Sequence, residues 1–160
     1  MTTKIGRVMV GIMLFLGTSA NKIDAKGRVS VPNDFRAAIE PEDFQGVALF
    51  HSFTSRCIEG CPLSRMEKIS DATDGLDLFG EEAQSINSLI FSDARKLAFD
   101  VAGRIVIPGD LVRFAGIEGE ALFVGRGKTF QIWNRAEFEK HQKQARERAI
   151  KARPALIIPK

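Results

Sequence analysis

The nine residues "DAKGRVSVP", Asp24 to Pro32, return as "DVAGRIVIP", Asp100 to Pro108, 76 positions further on. Both keep an Asp, a Gly-Arg pair three and four residues later, and a Pro that closes an apolar-flanked run. The text downstream echoes too: "NDFR" is answered by "GDLV", and "VALF" (47–50) by "EALF" (120–123). A doubled unit constrains a chain more than its composition does, because neither copy buries its apolar face alone. A lone unit of about 50–60 residues is marginal, so the two copies are expected to support each other.

Each copy reads as strand, turn, strand, helix, strand. Residues 14–23 are expected to form a strand entering the first turn. Arg28 to Val31 then alternates, which turns Val29 and Val31 inward and Arg28 and Ser30 outward. Pro32 ends that strand because it lacks an N–H. Asn33 or Asp34 is placed to cap the helix "DFRAAI", and Gly46 introduces the strand "VALFHSF". Between the copies, Leu63, Met66 and Ile69, then Ile86, Leu89 and Ile90, follow helical spacing, which predicts two helices broken at "DATDG". The second copy runs from Ala94 to about Asn134, with "RGK" as a hairpin turn, and a helix over "NRAEFEKHQKQARERAIKA" closes the chain before Pro154. Its strand "RIVI" has three successive apolar residues and is expected to be the more buried of the two motif strands.

The fold class is therefore α+β, with two tandem units related by a pseudo-two-fold. The expected division is a dispensable extension (1–12), a first unit (13–64), a helical connector (65–92), a second unit (93–136), and a basic C-terminal helix and tail (137–160). Net charge is +3, but unevenly spread. Residues 1–88 hold 9 Lys/Arg against 12 Asp/Glu, and residues 89–160 hold 14 against 8. The last stretch, "KHQKQARERAIKARPALIIPK", has seven Lys/Arg against one Glu, a block that either contacts nucleic acid or is a solvated helix face with a frayed tail.

Other features exclude more than they assign. Cys57 and Cys61 make no disulfide framework. With His51 upstream they fall short of the four paired ligands of a closed zinc site, so they read as two reduced thiols. No metal or cofactor is expected. The opening segment imitates a signal peptide, with Lys4 and Arg7 before an apolar run from Val8 to Leu16. That run is too short to span a bilayer as a helix. Cleavage near Ala20 would remove the strand before the first motif, and Met13 offers a second start. The expectation is a cytoplasmic chain with no membrane partner.

The motif has its own chemistry. An Asp side chain accepts from backbone N–H groups two or more residues on and tightens a turn, and a Gly then adopts positive φ. That accounts for Asp24, Gly27 and Pro32, and for Asp100, Gly103 and Pro108. It does not account for the cations at the turns, Lys26, Arg28 and Arg104, which suit phosphates or guanine edges.

On these residues the chain resembles the SpoVT-AbrB DNA-binding unit, and the tandem arrangement with a basic C-terminal helix resembles the MraZ family. The resemblance implies a swapped-hairpin β-barrel for the paired units and no catalysis. It also implies a cytoplasmic, nucleoid-associated transcriptional regulator that forms ring-shaped homo-oligomers. The DNA would be double-stranded direct repeats in its own promoter, in the bacterial division and cell-wall gene cluster, with repression of that promoter. The DNA contacts it implies are Lys26 and Arg28, with Lys22 beside them. The second turn has Ala102 in place of the lysine, which leaves Arg104 as its candidate.

Two rivals come from other classes. An antitoxin-like AbrB module would hold a partner protein with its C-terminal tail. An aspartic-type hydrolase would share one proton between Asp24 and Asp100. In the latter the Asp is followed by Thr/Ser-Gly, whereas Ala25 and Val101 stand here.

Overall fold

A computed structural model describes residues 14–153, 155, 158 and 159. The expectations placed on residues 1–12 and on Met13 lie outside them. In chain order the elements are β1 (Thr18–Lys22), β2 (Arg28–Ser30), α1 (Asn33–Ile39), β3 (Gly46–His51), β4 (Ile58–Cys61), α2 (Leu63–Thr73) and α3 (Glu81–Ile86). A π-helical turn (Asn87–Phe91) continues α3 and leads to β5 (Arg95–Ala98), β6 (Arg104–Val106), α4 (Gly109–Ala115), β7 (Glu120–Gly125), β8 (Phe130–Trp133) and α5 (Arg135–Ala152).

The copies do not fold side by side; their strands interleave. A six-stranded antiparallel sheet runs β1-β7-β8-β4-β3-β5, and β2 pairs with β6 in a separate ribbon. First-copy β1 thus lies on second-copy β7, and second-copy β5 on first-copy β3. In the ribbon Val29 faces Ile105, and in the β4–β8 ladder Glu59 faces Gln131. Each of these pairs is a residue meeting its own counterpart. Had both copies carried Glu at the second position, two carboxylates would stand opposed. Instead the Gln131 amide donates to both Glu59 oxygens at 3.1 and 3.2 Å.

Ladder registry corrects the match of "VALF" to "EALF". Ser19 faces Phe123, and its counterpart Arg95 faces Leu49, so Leu49 corresponds to Phe123 and not to Leu122. The physical reason is parity. The loop after α1 (residues 40–45) is two residues longer than the loop after α4 (116–119), and side chains alternate with period 2. A two-residue difference keeps every side chain on its face, whereas the textual match would turn each one over. Val47, Leu49, Ala121 and Phe123 accordingly all point into the central core.

That core lies under the inner sheet face, where Val29, Ile105, Phe35, Leu111, Ile58 and Ile132 also converge. Phe15, Phe35 and Phe130 form its aromatic centre, with ring centroids 5.1–5.5 Å apart. The outer face is covered in two halves. Ala48, Phe50 and Cys61 pack with Met66 of α2 and Ile90 of the π-helical turn, while Leu122, Val124, Trp133 and Cys57 pack with Phe138 of α5. With both faces covered, β3 reads as a continuous apolar run.

Other expectations need adjustment. The strand expected over residues 14–23 is regular only from Thr18 to Lys22, with isolated bridges at Phe15 and Ile23. Neither Asn33 nor Asp34 caps α1; Pro32 holds the cap position and no side chain bonds there. β6 is no more buried than β2: both are exposed, buried, exposed in turn, and Val106 is 52% exposed. A ribbon with one wet face follows period 2 whatever its composition. Among the described residues no helix is long and apolar enough to cross a membrane.

Candidate nucleic-acid interface

Asp24 builds the first turn. Its Oδ1 accepts from the backbone N–H groups of Lys26 and Arg28, both at 2.9 Å, and its Oδ2 accepts from the Arg28 Nε at 2.7 Å. The second turn repeats this atom for atom. Asp100 Oδ1 accepts from Ala102 and Arg104 at 2.9 and 2.8 Å, and Oδ2 from the Arg104 Nε at 2.8 Å. In each case the backbone N–H of the arginine is the main reason the carboxyl is held below the usual range. Each carboxylate is committed to its own turn, and this geometry overturns the shared-proton reading of the two Asp.

Gly27 (φ +88°) and Gly103 (φ +77°) both take the left-handed region. Each also touches the opposite copy: Ile107 N donates to Gly27 O at 2.8 Å, and Val31 N donates to Gly103 O at 3.1 Å. The turns are thereby locked to the ends of the β2–β6 ribbon.

The outward face of that ribbon carries Arg28 opposite Val106, and Ser30 opposite Arg104. The two arginines are therefore diagonal cross-strand neighbours, with backbones about 7–8 Å apart. Each ion pair joins Nε to Oδ2, and among the described residues no hydrogen bond or ion pair engages the Nη groups of Arg28 or Arg104. A two-stranded ribbon with two guanidinium groups each oriented by an Asp has the size and chemistry to enter a major groove.

The remaining sequence candidates fall nearby. Lys26 is exposed at the first tip, and no hydrogen bond or ion pair engages its ammonium among the described residues. Lys22 is exposed at the end of β1, opposite Glu120, which Arg135 pairs at 3.1 Å. At the second tip Val101 is fully exposed where the first has Ala25.

Sequence reading missed Arg113 and Arg36. A groove of about 440 Å³ beside the first turn is lined by Lys26, Gly27, Gly109 and Arg113. Its counterpart beside the second turn has Arg36 against Gly103. Arg36 is held by the Val31 carbonyl and the Asn33 side chain. The sequence held little signal for them, because the two arginines are not at matching repeat positions.

Cys57 packs against Trp133, Cys61 against Met66, and burial pushes both thiols up to about 12. His51 bonds Asp93 through Nδ1 at 2.8 Å and meets the Phe114 ring edge-on. Among the described residues no group of three or more His, Cys, Asp or Glu is placed to hold a metal ion.

Comparison with known proteins fits this architecture. A family model described as MraZ protein, antitoxin-like, matches the chain twice, over residues 14–87 and 90–157. The transcriptional regulator MraZ of Rickettsia akari (strain Hartford) is 41% identical over 140 residues, covering 88% of this chain and 94% of that protein. Its namesake from Rickettsia peacockii (strain Rustic) is 41% identical over 146 residues, covering 89% and 98%. The one from Rickettsia bellii (strain OSU 85-389) is 39% identical over 136 residues, covering 85% and 91%.

Proposed function

The chain belongs to the MraZ family, and on that premise we propose that it is a sequence-specific, double-stranded DNA-binding transcriptional regulator and not an enzyme. The observation that carries this reading is the ribbon face, where Arg28 and Arg104 are each oriented by an Asp and project side by side. Arg28 and Arg104 read guanine edges, while Lys26 and Lys22 hold phosphates. Arg113 joins Lys26 at the same groove. The interleaved strands support the swapped-hairpin barrel of the AbrB type for the paired units. The target is direct repeats in the promoter of the division and cell-wall gene cluster, which the protein represses as a nucleoid-associated, ring-shaped homo-oligomer in the cytoplasm.

Salt titrations on an operator duplex test this. Arg28→Ala should lower specific affinity by about 1–3 kcal/mol, roughly 5- to 150-fold. Lys26→Ala should weaken all sequences alike and reduce the log–log salt slope by about one. Unchanged affinity in Arg28→Ala would remove the ribbon from the site. The second reading, an antitoxin-like module, draws on the exposed outer half of α5. It requires a protein that co-purifies with the chain and is lost when α5 is truncated.

A further inference from the structure

The segment after β4 and the segment after β8 occupy matching places in the two copies, yet their charges are opposite. From Glu67 to Glu82 the first holds Glu67, Asp71, Asp74, Asp77, Glu81 and Glu82 against Lys68 alone. From Lys140 onward α5 holds Lys140, Lys143, Arg146, Arg148 and Lys151, followed by Arg153, against Glu147 alone. Among the described residues none of these acidic groups forms an ion pair, and of the cations only Lys140 does, with Glu137.

Each segment also exposes apolar side chains. Leu78 is 67% exposed and Phe79 83%, and Asp74, Asp77, Glu81 and Glu82 bracket them in sequence. Ile150 is 67% exposed, Lys143 and Arg146 share its helix face at i−7 and i−4, and Arg153 caps the helix just beyond it. One segment thus carries exposed apolar anchors flanked in sequence by anions, and the other an exposed apolar anchor flanked by cations. That is the composition of the two halves of an interface, with a buried hot spot and a steering rim.

α5 supplies the geometry. Its root is fixed by Phe138 and His141, whose rings lie 5.5 and 4.7 Å from Trp133. From Arg146 to Arg153 every residue is exposed. Among the described residues no surface of the chain therefore lies beneath these two turns of helix, although short helices in water draw most of their stability from packing.

We infer that the outer half of α5 docks on the acidic Glu67–Glu82 segment of a second copy of this chain, with Ile150 seated against Leu78 and Phe79. The contact joins two different surfaces, so each copy keeps one of each to offer to further copies. This deepens the proposed self-assembly and is independent of the DNA-binding face.

The test is the solution mass by light scattering, without DNA. Wild type should be a multiple of the 17.7 kDa chain. Lys143→Glu/Arg146→Glu and Asp74→Lys/Glu82→Lys should each lower the mass at least twofold at equal concentration. Mixing the two variants should restore it, because each carries the charge its partner lacks. Phe79→Ser and Ile150→Ser leave the charges alone and should lower the mass in the same way, which guards against a charge variant that fails to fold. A monomeric wild type, a charge variant of undiminished mass, or a folded mixture that fails to reassemble would overturn the inference. Failure of the Arg28→Ala operator test would leave these masses unaltered and overturns only the DNA reading.

Discussion

Gly27 and Gly103 occupy the same place in the repeat and similar φ, yet their surroundings differ. A Cβ at Gly27 would lie 2.3 Å from the Ile107 carbonyl oxygen, a backbone atom pinned in the ribbon. One at Gly103 would meet the Arg36 guanidinium at 2.4 Å, the end of a flexible side chain. Gly103→Ala should therefore cost chiefly the left-handed strain of an L-residue, about 1–2 kcal/mol. Gly27→Ala should cost at least twice that, because the backbone itself must shift. Thermal melts of the two variants check this, and equal losses would mean the first turn stands clear of the second copy. The sequence motif makes both positions look alike; the identity of the atom across the gap separates them.

Elements that correspond by repeat are likewise not interchangeable. Arg95 on β5 grips the Asp110 carboxylate in the first turn of α4 with both nitrogens, at 2.9 and 2.7 Å. The matching first-copy residues, Ser19 and Asp34, have no such cation, and a groove of about 640 Å³ stays open between β1 and α1. Hydrogen bonding to Arg95 lowers the Asp110 carboxyl to about 2. A depressed acid stabilises the fold fully above its unfolded value of about 3.9 and loses that contribution as pH falls to about 2. The pair is partly exposed, so screening limits it to about 1 kcal/mol or less. Urea unfolding of wild type and Asp110→Asn should show a gap at pH 5 that closes toward pH 2. A constant gap would mean that the carboxylate charge contributes nothing.

For the whole molecule, one ribbon offers few phosphate contacts and should bind weakly alone. Several copies on one operator make later contacts intramolecular and raise avidity without new chemistry. The proposed head-to-tail assembly would repeat the ribbon with one orientation, which suits direct repeats better than a palindrome. Successive sites on one face of the duplex are about 10 bp apart. Inserting about 5 bp between repeats should therefore weaken binding as much as deleting a repeat, while about 10 bp should restore much of it. Gel shifts on such operators decide the matter, and indifference to phase would remove multivalent binding from the account.

Much of this molecule is written in local sequence. Asp24, Gly27, Arg28 and their later counterparts announce the turns, because an Asx turn closes over four residues and needs no distant partner. The alternation in "RVSV", the hairpin at "RGK" and the Asn134 start of the last helix are local for the same reason, and Asn134 does accept from Glu137 N–H. What is not local could not be read. That β1 leaves its own copy for β7, that Arg28 and Arg104 become neighbours, and that Val106 faces outward all depend on strands far apart in sequence choosing each other. The apparent match of "VALF" to "EALF" failed because resemblance of letters carries no information about which sheet face a residue takes. Loop length modulo two sets that face, and burial of the Phe cluster enforces it.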